Sequence, residues 1–167
     1  MNIVYMDMKP LSGRDIMNLM NDDCVIMKYV DLDQYKSLDS LFWKSRFIFL
    51  LYPVNSNKDG HWTLVMKRKA KDIDIFDSYG FFPDTQKDNG AMDYHKYLSD
   101  LLIRSPKDIK IYYNEIKYQD DMSNACGYYC VLRAWNAHMS NKKFQNILNN
   151  EKPDTDQFVY DVVMDNY

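Results

Sequence analysis

One stretch constrains the fold more than any other. Cys126-Gly127-Tyr128-Tyr129-Cys130-Val131-Leu132-Arg133-Ala134-Trp135 is apolar almost all round when wound at 3.6 residues per turn. Such a helix has to be enclosed on most sides, so the rest of the chain must wrap it. The polar run Gln119-Asp120-Asp121-Met122-Ser123-Asn124 precedes it, which sets Cys126 at a helix N-terminus with Asn124 or Ser123 as the expected cap. Unpaired N–H groups and the positive end of the helix dipole favour a thiolate there. Gly127 removes a side chain beside the sulfur, as a close-approaching substrate backbone would require.

A lone cysteine is most often a buried packing residue. A catalytic one needs a base, an orienting acid and an oxyanion donor elsewhere in the chain. His61-Trp62-Thr63-Leu64-Val65-Met66 and Ile73-Asp74-Ile75-Phe76-Asp77-Ser78 read as two strands joined by the charged link 67–72, hence an antiparallel hairpin. Pairing Val65 with Ile73 and Thr63 with Ile75 sets His61 opposite Asp77, with Cβ atoms about 4.5–5.5 Å apart. A carboxylate at that distance fixes the imidazole tautomer and stabilises the imidazolium. Asp74 is expected to face the other side of the strand. His138, three turns along the helix from Cys126, is too far to serve, and His95 lies on a predicted helix away from any acid-bearing strand.

The order His61-Trp62, then Asp77-Ser78-Tyr79-Gly80-Phe81, then Gln119 with Ser123-Asn124-Ala125-Cys126-Gly127-Tyr128-Tyr129-Cys130, resembles the adenovirus-type (adenain-like) maturation proteases. These lie within the clan of Ulp1-like cysteine proteases, which includes SUMO-removing enzymes. Gln119 precedes Cys126 by seven residues, the adenovirus-type spacing, and Ala-Cys-Gly replaces the Asp-Cys-Gly usual in the Ulp1 branch. Asp77 departs from the Glu frequent in the viral branch. The resemblance covers roughly residues 47–137. It implies a nucleophile Cys126, a general base His61, an orienting Asp77 and an oxyanion donor Gln119, acting beside the Cys126 N–H.

The resemblance further implies a cysteine endopeptidase that cleaves capsid or core precursors during virus particle maturation, near Gly-Gly or Gly-X. Removal of ubiquitin-like proteins from their targets is the alternative, and an acyltransferase on the same scaffold is a third reading that basic patches would have to support. The adenovirus enzyme is stimulated by DNA and by a peptide attached through a cysteine outside the catalytic motif. With a net charge of −3, this chain is a poor match to DNA, and its one basic cluster, Lys67, Arg68, Lys69 and Lys71, reads as a solvated turn. Cys24 is the only candidate for such an attachment, and its position does not recommend it.

The 167 residues suit one domain, 1–167, of which 46% are hydrophobic, enough for a sizeable core. Three cysteines without Cys-x-x-Cys spacing point away from a disulfide framework and from metal, and no cofactor is called for. The start of the chain is interrupted by Lys9, Arg14 and Asp15, so no signal peptide is read, and no apolar run reaches membrane-span length. The expectation is a monomer in a reducing compartment, in virion and host cell.

The fold class expected is α+β: a small mixed sheet between helices, papain-like or Ulp1-like, with the nucleophile at a helix N-terminus. Ser12 to Met20 reads as a capped helix stopped by Asn21-Asp22-Asp23, and residues 31–42 as a second helix. Residues 46–52 read as a strand ended by Pro53 and followed by a loop to Gly60. Residues 91–104 read as a helix, 109–116 as a strand and 126–139 as the cysteine helix. Phe144, Ile147 and Leu148 mark a further helix, and Pro153-Asp154-Thr155 opens a last one carrying Phe158, Val159, Val162 and Val163.

Overall fold

The computed structural model describes residues 8–54, 56–84 and 96–167. Five strands form one mixed sheet in sequential order: β1 (Val25–Lys28), β2 (Phe47–Val54), β3 (Ser56–Lys69), β4 (Asp72–Phe76) and β5 (Lys110–Tyr113). The outer pairs β1–β2 and β4–β5 are parallel, and β2–β3 and β3–β4 are antiparallel. Period-2 alternation gives each face its own core. Phe47, Phe49, Trp62, Leu64, Met66 and Phe76 pack toward α1 (Gly13–Leu19), α4 (Cys126–Trp135), α5 (Asn141–Asn150) and α6 (Thr155–Met164). Ile48, Leu50, Tyr52, Val65, Ile73 and Ile75 pack toward a 3-10 turn (Tyr29–Gln34), α2 (Leu38–Leu41) and α3 (Tyr97–Ile103). The α+β class with a sheet between helices is therefore observed, and α4 is buried along nearly its whole length.

Local chemistry explains most boundaries. Ser12 and Asp15 form a reciprocal capping box at α1, and Asn21 and Asp22 at positive φ end it. The helix expected over 31–42 is instead two pieces. Tyr35 is extended, and Ser37 and Ser40 start a new short helix by capping each other's backbone. Pro53 does not end β2. β1 pairs no further than Leu51, so among the described residues Pro53 has no strand partner on that side of β2, and it pairs with Gly60 of β3 on the other side. The loop expected over 55–60 is thus β3 from Ser56 onward.

The link expected over 67–72 is shorter. β3 and β4 run on to Lys69 and Asp72 around Ala70-Lys71, with an irregularity between Lys67 and Lys69. The start of the helix expected at 91 lies outside the described residues; from Tyr97 onward it is α3, whose Ser99 N–H donates to Asp84 Oδ2 at 2.7 Å. α4 ends at Trp135, not Met139. Arg133, fully buried, donates to the carbonyls of Asn136 and Met139, to Asn141 Oδ1 and to Asp74 Oδ2, and so folds the following turn back onto the sheet.

Candidate active site

His61, Asp77, Gln119 and Cys126 are all buried, and the structure brings them together from β3, the exit of β4, a loop and α4. His61 Nε2 lies 2.9 Å from Asp77 Oδ1. The register that achieves this is not the one expected. Val65 pairs with Ile75 and Leu64 with Phe76, two residues away from the expected match. Carried one step past the last strand pair, that register sets Asp77 across from Thr63, whose Oγ1 donates to Asp77 Oδ2 at 3.3 Å. His61 then reaches the same carboxylate diagonally. A slip of two preserves every facing, so alternation alone cannot separate the two registers.

Asp77 is held by more than the histidine. The Tyr79 N–H donates to Oδ1 at 2.8 Å. Asn114, just past β5, grips the Asp77 backbone from both ends of its amide: Oδ1 accepts the Asp77 N–H at 2.9 Å and Nδ2 donates to the Asp77 carbonyl at 2.5 Å. Gly80 makes the next turn possible. It sits at φ +70°, and a Cβ there would stand 2.7 Å from the Ile116 carbonyl carbon. The Tyr79 ring lies 5.0 Å from the His61 ring, centroid to centroid.

Burial opposes a charge on His61, but its bond to Asp77 and the proximity of Cys126 outweigh it. The imidazole is pushed up from 6.5 to about 10. With Nε2 engaged by Asp77, Nδ1 is the nitrogen left for the Cys126 sulfur.

Gln119 is buried with both ends of its amide assigned. Nε2 donates to the Ser123 carbonyl at 2.8 Å, and Oε1 accepts from Ser78 Oγ at 2.6 Å. The Ser78 carbonyl accepts the N–H groups of Tyr118 and Gln119 at 2.8 and 3.1 Å.

The start of α4 differs from expectation in two ways. Its N-cap is Ala125, with no side-chain cap. Asn124 turns its Nδ2 to the Met8 carbonyl instead. A Cβ on Gly127 would lie 3.0 Å from Leu11 Cβ and 3.2 Å from Trp62 Cδ1, so packing against the N-terminal segment, and not substrate approach, accounts for that glycine.

That segment is strapped in place. The carbonyls of Met8, Lys9 and Leu11 accept from Asn124 Nδ2, Tyr128 Oη and Trp62 Nε1 at 3.2, 2.7 and 2.9 Å. Pro10 to Gly13 then form one wall of a cleft of about 780 Å³ that also contains His61, Tyr79, Gln119 and Cys126. A second cleft of about 550 Å³, lined by Tyr118, Asp154 and Asp156 among others, shares Gln119 and Asp121 with it.

The other candidates within the described residues have different surroundings. Asp74 is buried between Arg133 (3.1 Å) and Arg68 (3.5 Å). His138 is exposed, and His95 lies outside the described residues. Cys130 packs in the core with its sulfur 3.4 Å from the Trp62 carbonyl, as expected. Cys24 is buried against Met17, and burial, with Asp23 and Asp22 nearby, pushes its thiol up to about 11. That environment suits neither a reactive thiolate nor a peptide attachment point. Among the described residues no group of side chains could hold a metal ion, and no helix is long and apolar enough to cross a membrane. Asn114, Ser78 and Thr63 are the site residues that sequence reasoning missed. The one signal for Asn114 was a buried-type polar residue closing an apolar strand.

An α+β domain with a cysteine at the mouth of a buried helix, facing a histidine–aspartate pair and a fixed glutamine, is the class of protein that fold and site define. Its fold is similar to that of the central domain of the Lpg1148 protein from Legionella pneumophila, with a TM-score of 0.50 and 18% identity, over 94% of this chain and 95% of that one. A SUMO protease Ulp1 structure, with its catalytic cysteine oxidised to a sulfinic acid, gives a TM-score of 0.44 at 17% identity, over 95% of this chain and 79% of that one. No family model matches the sequence. Over 150 residues, 84% of this chain and 84% of the relative, it is 31% identical to the uncharacterised protein V9 of the Sputnik virophage, and it belongs to the V9 family.

Proposed function

We propose that this protein is a cysteine endopeptidase with Cys126 as nucleophile. The observation that carries the reading is the 2.9 Å His61–Asp77 contact on an imidazole that lines the same cleft as Cys126. The thiolate attacks the scissile carbonyl carbon and forms a C–S bond, while the oxygen takes the negative charge. The Cys126 N–H, on a helix start with no side-chain cap, and the second N–H of Gln119 Nε2 stabilise that oxyanion. As the C–N bond breaks, His61 protonates the leaving amine. His61 then takes a proton from water, which attacks the thioester and releases the carboxylic product with return of the thiol. Two adjoining clefts that share Gln119 and Asp121, one of them lined by Cys126, leave room for an extended polypeptide.

The substrates are precursor proteins of a virus particle, cleaved at Gly-containing sites. Kinship with a virophage protein supports the viral setting. Incubation of the purified protein with a Gly-Gly capsid-type peptide, a ubiquitin-like precursor and an acetyl-CoA donor, beside Cys126→Ala, tests this. Cleavage of the peptide that disappears in the variant is the expected result. Cleavage of the ubiquitin-like precursor alone makes the protein an isopeptidase, transfer of the acetyl group makes it an acyltransferase, and activity that survives Cys126→Ala removes the cysteine from the mechanism.

A further inference from the structure

We infer that Ser78 is a positioning residue that aims the Gln119 amide at the oxyanion, so that one dipeptide, Asp77-Ser78, orients both the base and the oxyanion donor. This deepens the reading above and rests on it. The Ser123 carbonyl can only accept, so the atom 2.8 Å from it must be the Gln119 nitrogen. The amide oxygen therefore faces Ser78, whose hydroxyl, fully buried, donates to it at 2.6 Å. One N–H of Nε2 is engaged by Ser123, and the other is left for the cleft that Gln119 shares with Cys126. A flipped amide would present an acceptor to a developing negative charge.

The Ser78 bond also polarises the amide and strengthens its remaining donor. Backbone bonds from the Ser78 carbonyl to the Tyr118 and Gln119 N–H groups fix the distance between the two residues. Asn114 and Gly80 hold the dipeptide itself. The side chains of Asp77 and Ser78 thus serve His61 and Gln119 respectively.

The test compares Ser78→Ala, Ser78→Thr, Gln119→Ala and their Ala double variant with the parent protein. Two readouts are used: cleavage of a Gly-Gly peptide, and alkylation of Cys126 by iodoacetamide. Alkylation forms no oxyanion, so it reads the thiol and His61 alone and also certifies a folded site. Ser78→Ala is expected to lower kcat about 10- to 100-fold with KM little changed and alkylation at the parent rate. Thr is expected to restore most of the loss, and the double variant to be no slower than Gln119→Ala alone.

Parent-level cleavage by Ser78→Ala, or losses that multiply in the double variant, would overturn the inference while the protease reading stood. A parallel fall in alkylation would overturn it by showing a merely structural role. A parent protein that cleaves no peptide removes the reading, and this inference with it.

Discussion

His61 and Asp77 meet diagonally across the β3–β4 pair, with Nε2 and Oδ1 2.9 Å apart, while Thr63, the residue across from Asp77, takes the other carboxylate oxygen. The carboxylate is thereby bonded at both oxygens on a rigid strand pair, and the imidazole it orients has little freedom to turn. Buried acceptors of this kind are costly to remove, because the donors around them lose their partners as well.

Replacing Asp77 by Asn keeps the shape and removes the charge. It is expected to lower kcat by about 10²–10⁴-fold, because the amide also stabilises the wrong imidazole tautomer. Steady-state cleavage with the variant checks this, and activity within a factor of two of the parent would remove Asp77 from the mechanism.

His61 also makes a prediction for pH. Its folded value of about 10 lies above the ordinary 6.5, so the folded protein holds a proton that the unfolded chain has already lost between those values. More protons bound in the folded state means that unfolding free energy falls as pH rises. The contribution is complete below about pH 6.5 and is gone above about 10. Urea melts across pH 6.5 to 10 are expected to show this decline, with a smaller slope in His61→Gln. An identical slope in the two proteins would place the titration elsewhere.

Gln119→Ala is expected to lower kcat about 10²–10³-fold and to leave iodoacetamide alkylation of Cys126 unchanged, since only the acyl-transfer transition state carries an oxyanion. Stopped-flow cleavage and timed alkylation measure the two separately.

Arg133 is completely buried at the end of α4 and shares Asp74 with Arg68. Arg133→Met leaves Asp74 buried with its weaker partner, Arg68, and removes the Arg133 bonds to Asn141 Oδ1 and to the Asn136 and Met139 carbonyls. A loss of about 3–5 kcal/mol is expected in denaturant melts. Adding Asp74→Leu is expected to recover part of it, because a buried carboxylate with only one distant cation is then gone.

Gly80→Ala combines positive φ with a Cβ 2.7 Å from the Ile116 backbone. It is expected to destabilise by about 1–3 kcal/mol, read by thermal melting, and to lower activity further by loosening Asp77-Ser78.

The parts of this fold that were legible are those with a strong local signal. The apolar run after Cys126 announced a buried helix, the Ser12–Asp15 pair announced its capping box, and the alternation in 61–66 and 73–77 announced two strands. What was illegible depends on distant partners. The hairpin register was missed by two, since a shift of two leaves the same residues inward. Asn124 looked like a cap, but the Met8 carbonyl claims its side chain from more than a hundred residues away. The same holds for Asn114, whose amide finds the Asp77 backbone across 37 positions of sequence. Pro53 misled because its cost depends on whether a neighbouring strand is present, and β1 stops short of it.

The most direct test of the central claim is capture of the covalent intermediate. The protein is mixed with a Gly-Gly peptide ester, quenched in acid within the first turnover and digested, and the fragment containing Cys126 is weighed by mass spectrometry. An acyl group is expected on Cys126, absent in Cys126→Ala and accumulating more slowly in His61→Ala. Ester or peptide cleavage with Cys126 unmodified at every quench time, and undiminished in Cys126→Ala, would contradict that claim.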